Sequence, residues 1–568
     1  MPRSPRSCPA RVRSSSRRVA LLWLIVLCGG SAAFAQPETG ASAPAPSSPE
    51  VKTVPPDHEL ESTGAVIGEV FVEVGNIFDP TVPGERRWLF RLANKLHRTT
   101  RDAVIERQLL FKPGDPFSRR VLEESERNLR KNRYLYDAKI EPVRYADGRV
   151  DVAVRTRDVW TLNAGVGFGR SGGTSSKSVQ LQDTNFLGTG KSITLARKND
   201  VDRTTSLFRY DDPAVLGSRT RLGVQYESNS DGTFESLDVG QPFYSLETPW
   251  SAFLSARSRD QVESLYELGH VTDRFRHRQD FAQIQGGLSK GLVDGWANRW
   301  SAGFTFQRDR FEEADGFAAP ETLPEDRTLS YPWVSWDAIE DDYVEAKDRD
   351  QIQRTEDFHL GGSLHLRLGW SSALFGGDRD EAVFEGATGK GFRLTADQTL
   401  LLDASLSGRW GSGGAENAVL HGGMRYYWRD FGDHLFFATL EGDAAHRLDR
   451  EQQILLGGDS GLRGYPLRYQ DGDRLVLLTL EQRFYTDYYP FHLVHVGGAV
   501  FFDMGRTWAG DSGLADNLGW LKDVGLGLRL SSSRSGLGNV VHVDLAFPLD
   551  GDGTIKSVQW LVRTKGSF

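Results

Sequence analysis

Apolar and polar residues alternate with period two over most of the chain. In residues 160–170 (WTLNAGVGFGR), Trp160, Leu162, Ala164, Val166 and Phe168 share one face, and Thr161, Asn163, Gly165, Gly167 and Gly169 share the other. That spacing predicts a β-strand with one greasy side. The same alternation recurs in Trp300-Ala302-Phe304-Phe306, Phe358-Leu360-Gly362-Leu364-Leu366-Leu368, Leu400-Leu402-Ala404-Leu406 and Ala418-Leu420-Gly422-Met424-Tyr426. It continues through Val494-Val496-Gly498-Val500-Phe502, Val524-Leu526-Leu528-Leu530 and Val541-Val543-Leu545-Phe547. A soluble sandwich also buries one face of each strand. Here, however, the second face is often Gly, Ser, His or Arg, and the connections differ greatly in length. Lipid outside and a polar lumen inside account for both features.

Residues 160–568 number 409. At ~25 residues per strand and connection they accommodate about sixteen strands, an even count that returns both ends of the barrel to one side. Long connections near residues 312–327, 375–389 and 451–474 are expected to face outward. The connections at 531–538 and 485–491 are expected on the periplasmic side.

Before residue 160 the pattern is mixed. Val70, Val72 and Val74 alternate as a strand, and Val104, Ile105, Gln108 and Leu109 have helical spacing up to the break at Pro113-Gly114-Asp115. Ser118 is a candidate N-cap for a helix with Val121, Leu122, Ser125 and Leu129 on one face. Two short strands then flank Asp147-Gly148, the second carrying Val150, Val152 and Val154. Residues 64–158 therefore read as one small β-α-α-β-β domain. Residues 36–63 are rich in Pro, Ser, Ala and Glu and poor in large apolar side chains, the composition of a disordered tether. Residues 1–35 hold six arginines and no acid, an apolar run from Val19 to Leu27 and the sequence Ala33-Phe34-Ala35, as in a cleaved export signal.

Composition sharpens this picture. Only 39% of the 568 residues are hydrophobic, whereas Gly reaches 61 and the aromatics comprise 14 Trp, 31 Phe and 16 Tyr, as suits a large β structure with aromatic girdles. No stretch reaches the ~20 apolar residues of a membrane-spanning helix. Both cysteines, Cys8 and Cys28, fall in the leader, so disulfide frameworks and cysteine metal sites are excluded from the remainder. Removal of the leader leaves 62 basic against 77 acidic residues, a net charge of −15, which disfavours nucleic acid as a partner.

Several strings imitate enzyme motifs. Gly458-Asp459-Ser460-Gly461 follows His446 by too few residues for a serine-protease triad, and no fitting Asp motif precedes them. GATGKG at residues 386–391 lacks the spacing of a phosphate loop, and DGDG at 550–553 lacks the twelfth-position Glu of a calcium loop. The twelve His include no HExxH pair. No catalytic, cofactor or metal residues are assigned, and the chain is not expected to be an enzyme.

The informative stretch is residues 457–469 (GGDSGLRGYPLRY), followed by residues 501–508 (FFDMGRTW). Alternation with Val500 and Phe502 turns Asp503 inward, and alternation with Leu478, Leu480 and Phe484 turns Glu481 inward. Together with LLFKPGDPFS (109–118), LEESERNLRKNRYLYDAKI (122–140) and VDVAVRTRD (150–158), the chain resembles a POTRA domain joined to a barrel of the Bam/Tam-type outer-membrane assembly superfamily, the bacterial surface antigen barrel. LQDTNFLGTGKSITL (181–195), RYDDPAVLGSRTRL (209–222), QPFYSLETPWS (241–251), QRTEDFHLG (353–361) and the terminal Phe568 extend the likeness over nearly all of the chain after the tether.

The resemblance implies a mainly β fold: a 16-stranded antiparallel transmembrane β-barrel (159–568) preceded by one small α+β POTRA-like domain (64–158). It implies that the loop arginine, Arg463, folds into the lumen between the eleventh and twelfth strands and meets Glu481 and Asp503. Gly464 then allows close approach, Tyr465 packs on the wall, and Gly505 closes the FFDMG motif. Trp560, Val562 and Phe568 resemble the C-terminal signal by which barrels are recognised for insertion, weakened by Thr564 and Gly566. A loosely paired seam between the first and last strands is implied as the place where a client strand adds. The expected function is insertion or translocation of other polypeptides at the outer membrane, with the N-terminal domain in the periplasm. Its partners would be the lipid bilayer, client outer-membrane or secreted proteins, and a periplasmic protein on the POTRA domain. A two-partner-secretion pore and a passive channel or surface-binding barrel remain alternatives.

Overall fold

A computed structural model describes residues 54–568, apart from 430, 431, 433, 510–518, 537–539, 552, 554 and 566–568. The leader, most of the tether, Gly566 and Phe568 lie outside the described residues.

The N-terminal domain runs α1 (Asp57–Ser62), β1 (Val66–Gly75), α2 (Trp88–Leu96), α3 (Asp102–Glu106), α4 (Arg119–Arg130), β2 (Leu135–Ala146) and β3 (Arg149–Asp158). Its sheet has the order β1-β3-β2, with β3 parallel to β1 and antiparallel to β2. The central strand β3 buries Val150, Val152 and Val154 completely, and Ile105, Leu122, Leu129, Leu135 and Ile140 close over it. Each such side chain contributes roughly 2 kcal/mol by leaving water. The helix α1 overlaps the end of the stretch read as tether, because Leu60 inserts into this core. Ser118 occupies the N-cap position of α4 without capping it; Glu61 Oε1 accepts the Arg119 amide instead, at 2.8 Å.

The barrel is closed and contains twenty strands, not sixteen. The expectation of ~25 residues per strand and connection failed first in residues 162–241, where six strands of eight to ten residues fit (Leu162–Ser171, Thr174–Asp183, Ser192–Asn199, Thr204–Asp212, Arg221–Asn229 and Gly232–Gln241). Two-residue turns make this economy possible. Gly172-Gly173, Leu268-Gly269 and Asp294-Gly295 all have positive φ at both positions, the backbone that matches strand twist in a tight hairpin. The next strands are long: Trp250–Glu267, His270–Val293 and Trp296–Glu313 have 18, 24 and 18 residues.

Two further expectations change. Residues 381–389 belong to the strand Glu381–Arg393, so that outward connection shortens to 372–380. The alternating run from Phe358 to Leu368 is two elements: Glu356–His359 pairs with Tyr343–Ala346 in a separate hairpin, and the barrel strand begins at Ser363. The arginine loop lies between the fifteenth strand, His434–His446, and the sixteenth, Arg474–Tyr485, rather than between the eleventh and twelfth. Because the count remains even, both ends of the barrel still lie on one side, beside the N-terminal domain.

Candidate functional site: the arginine loop and the seam

Inward alternation of the sixteenth strand and the seventeenth, Val494–Trp508, buries Glu481 and Asp503 on diagonal positions of adjacent strands, Glu481 opposite Phe501 and Asp503 opposite Thr479. Arg463 descends onto both. Its Nε donates to Asp503 Oδ2 at 2.7 Å and its Nη2 to Asp503 Oδ1 at 2.8 Å, a bidentate pair, while Nη1 donates to Glu481 Oε1 at 2.6 Å. The guanidinium also lies over the Phe501 ring, 3.4 Å from its centroid. Charge-assisted bonds in this fork geometry need arginine, since lysine cannot satisfy two carboxylates from one plane.

The neighbours of Arg463 fix the loop further. The Gly464 amide donates to Asp523 Oδ2 at 3.0 Å, and a Cβ at this glycine would lie 2.7 Å from Asp523 Cβ. Tyr465 is fully buried with Leu456, Leu462, Leu475, Leu477 and Leu521, and its hydroxyl donates to the Lys522 carbonyl at 2.7 Å. Gly505 faces the same space; a Cβ there would meet Leu456 Cδ2 at 2.9 Å.

Several members of this network were not foreseen. Thr479 Oγ1 donates to Asp503 Oδ1 at 2.8 Å, Arg483 Nε donates to Glu481 Oε2 at 3.0 Å, and Arg529, bonded to Asp544, approaches Glu481 at 3.5 Å. The signal was available: Arg483 lies two residues from Glu481, and Arg529, Asp523 and Asp544 sit on the faces opposite Leu526 and Val543.

The first and last strands meet at a seam unlike the other junctions. Gln559–Lys565 pairs with Leu162–Ser171 through one register pair among the described residues, Val562 with Arg170. Side chains reinforce it: Trp560 stacks on Phe168 with centroids 6.0 Å apart, and Arg170 lies 4.7 Å over the same indole. The arginine loop spans this place. On one flank Ser171 Oγ donates to the Gly458 carbonyl at 2.6 Å, and a Cβ on Gly172 would fall 2.3 Å from the Leu467 amide. On the other, Tyr465 reaches Lys522 and the Asp550 carbonyl, and Ile555 packs on its cluster.

From the opposite end, residues 341–362 fold into the barrel mouth. Phe358 and Leu360 pack on Leu401, Tyr427, Leu435 and Phe437 of the inner wall, and Ile352 packs on Ala499 and Tyr485. Arg483 Nη1 donates to the Arg349 carbonyl at 2.7 Å, so the residue that holds Glu481 also holds this plug. Glu356 accepts the amides of Arg349, Asp350 and Gln351; burial, with the Asp350 carboxylate beside it, pushes Glu356 up to about 8 against the pull of those amides. The N-terminal domain grips the outer side of the plug. Arg130 of α4 donates to both oxygens of Asp357, at 2.8 and 2.5 Å, and to Glu345 at 2.8 Å, and Tyr136 donates to the Gln353 carbonyl at 2.6 Å. A polar path therefore runs from α4 through the plug, Arg483 and Glu481 to Arg463.

Residues 97–157 match the family model of the POTRA domain, the surface antigen variable number repeat. A protein of Treponema pallidum (strain Nichols) described as an outer membrane protein assembly factor is 30% identical over 161 residues, covering 27% of this chain and 19% of that protein. The match thus spans about a fifth of that relative's length. Among solved structures, CdiB from Escherichia coli aligns over 89% of this chain and 77% of its own at 12% identity and a TM-score of 0.47. BamA from Haemophilus ducreyi lacking POTRA domains 1–3 aligns over 88% and 85% at 14% identity and a TM-score of 0.38. The chain thus joins a domain of POTRA type, matched at residues 97–157, to a closed antiparallel barrel of twenty strands.

Proposed function

We propose that the protein inserts client polypeptides into the outer membrane by adding client strands at the seam, and that the Arg463 loop holds the seam shut at rest. The single register pair among the described residues, Val562 with Arg170, carries this reading. A strand edge with few ladder bonds is the least costly to exchange for an incoming strand, because the client replaces what little pairing is lost. The loop contacts the end of the first strand and the turn after it and, on the other side, the eighteenth strand and the connection into the last strand, so releasing Arg463 from Glu481 and Asp503 would loosen both sides together. Trp560 and Val562 act here as seam residues; the same positions serve as the C-terminal insertion signal of the barrel itself.

Secretion through the lumen is the second reading. It requires the 341–362 plug and the arginine loop both to leave, whereas exchange at the seam requires only the loop to move. The plug therefore favours insertion. The POTRA domain, bonded to the plug through Arg130, would present clients from the periplasm.

The test is a disulfide across the seam. The sequence has no cysteine outside positions 8 and 28, so Arg170→Cys with Val562→Cys forms a unique pair on register partners. The oxidised protein should lose client insertion and regain it on reduction. Full insertion by the locked barrel refutes exchange at the seam.

A further inference from the structure

The segment between β1 and α3 contains α2 (Trp88–Leu96), which takes no part in the POTRA sheet and divides into three arcs. At ~100° per residue, Phe90, Ala93, Asn94 and His97 fall on one arc. This arc is satisfied. Phe90 stacks on Phe78 with centroids 4.2 Å apart and, with Ala93, packs against Trp160 and Leu493 at the periplasmic rim. Asn94 Nδ2 donates to the Phe78 carbonyl at 2.7 Å, and His97 Nε2 bonds Asp158 at 2.9 Å.

The second arc, about 100° wide, holds Trp88, Leu89, Leu92 and Leu96, which are 64, 54, 43 and 67% exposed. Beside it, on the third arc, stand Arg91 and Lys95. Residues 86–98 contain five basic residues and no acid in a chain whose net charge is −9. Among the described residues, no carboxylate forms an ion pair with Arg87, Arg91, Lys95 or Arg98. A tryptophan and three leucines side by side on a helix face are rarely left to water.

The position of the helix identifies what covers them. Insert and barrel are clasped together: Arg534 donates to the Ile77 carbonyl at 2.6 Å and to Glu85, and a Cβ on Gly84 would meet the His492 ring at 2.6 Å. The barrel turn on which α2 rests itself exposes Tyr488 and Phe491, and the strand leaving that turn presents Val500 outward. The apolar arc thus continues the aromatic rim and lipid-facing band of the barrel.

We propose that α2 lies in the periplasmic leaflet of the outer membrane beside the root of the first strand. Its Trp-Leu arc enters the acyl-chain boundary, and Arg91 and Lys95 bind anionic phospholipid headgroups. The proposal depends on the outer-membrane location and not on client insertion.

The experiment uses the full chain in nanodiscs of phosphatidylcholine with or without phosphatidylglycerol. Single nitroxides are attached to Leu89→Cys or Leu92→Cys, with Val500→Cys as the lipid reference and Lys139→Cys, on the exposed side of β2, as the water reference. Labels at 89 and 92 should match Val500, with several-fold more collisions with oxygen than with a water-soluble nickel chelate, and should sit deeper when phosphatidylglycerol is present. Arg91→Glu with Lys95→Glu should abolish the phosphatidylglycerol effect while the barrel stays folded. Labels at 89 and 92 as accessible to nickel as position 139 would overturn the proposal. So would labels shielded from both reagents, which would mean that protein, not lipid, covers the arc.

Discussion

The seam and the wall that begins seven strands away are built to opposite specifications. His270–Val293 and Trp296–Glu313 are zipped from Phe275 opposite Glu313 down to Val293 opposite Trp296, with one irregularity, whereas the last strand has seven described residues and meets the first at one described register pair. Closing a barrel requires only that every edge find a neighbour. It does not require that every junction be equally strong. The Arg463 loop bonds the end of the first strand on one side and, on the other, the eighteenth strand and the connection into the last strand, so under the proposed function its side chains add cohesion around the sparsely paired junction.

The largest test of this contrast is Arg463→Ala. Removing the cation leaves Asp503 and Glu481 buried side by side on adjacent strands without their shared cation, a loss of about 3–5 kcal/mol for breaking a buried pair. Protease cleavage within residues 457–469 should rise strongly, while the 270–313 wall keeps its protection. Gly464→Val is next. Its Cβ would lie 2.7 Å from Asp523 and 3.1 Å from the Pro548 nitrogen, so overpacking should cost about 1–3 kcal/mol. Its readout is the denaturant midpoint of the reconstituted barrel. Trp560→Ala removes the stack on Phe168 and the Arg170 contact, about 1 kcal/mol beyond lost burial. It should speed amide exchange at the seam only.

The last test is a pH response of the plug. Glu356 holds its proton up to about 8 in the folded chain, above its ordinary value, so the folded state binds more protons than the unfolded state between those values. Plug stability is then greatest at low pH and declines as pH rises toward 8. Exchange of the Arg349, Asp350 and Gln351 amides, corrected for intrinsic base catalysis, should accelerate over that range. Glu356→Gln should remove the dependence.

Much of this contrast is legible in the sequence, and the illegible parts have physical causes. Period-two alternation locates about half of the barrel strands, and it orients Asp503 and Glu481 because a side chain between two lipid-facing neighbours must point inward. Alternation does not count strands. Tight turns such as Gly172-Gly173 and Asp294-Gly295 shorten the repeat, and reading them as hairpins would have raised the count. The run from Phe358 to Leu368 misled because the inner wall of a mouth is also apolar. Phe358 and Leu360 alternate correctly for packing on Tyr427 and Leu435, although they belong to the plug. The helix α2 was missed since its apolar residues surround more than half of its circumference, and only the contacts of Phe90 separate the inward arc from the outward one.

The central claim is that the seam is weak and that Arg463 holds it. Hydrogen exchange of the full chain in nanodiscs measures both halves at once, comparing residues 162–171 and 559–565 with 270–313 in the native protein and in Arg463→Ala. The account predicts that seam amides exchange faster than wall amides in the native protein, and that the substitution accelerates the seam further while leaving the wall unchanged. Seam protection equal to that of the wall, or equal acceleration of both by Arg463→Ala, would contradict it.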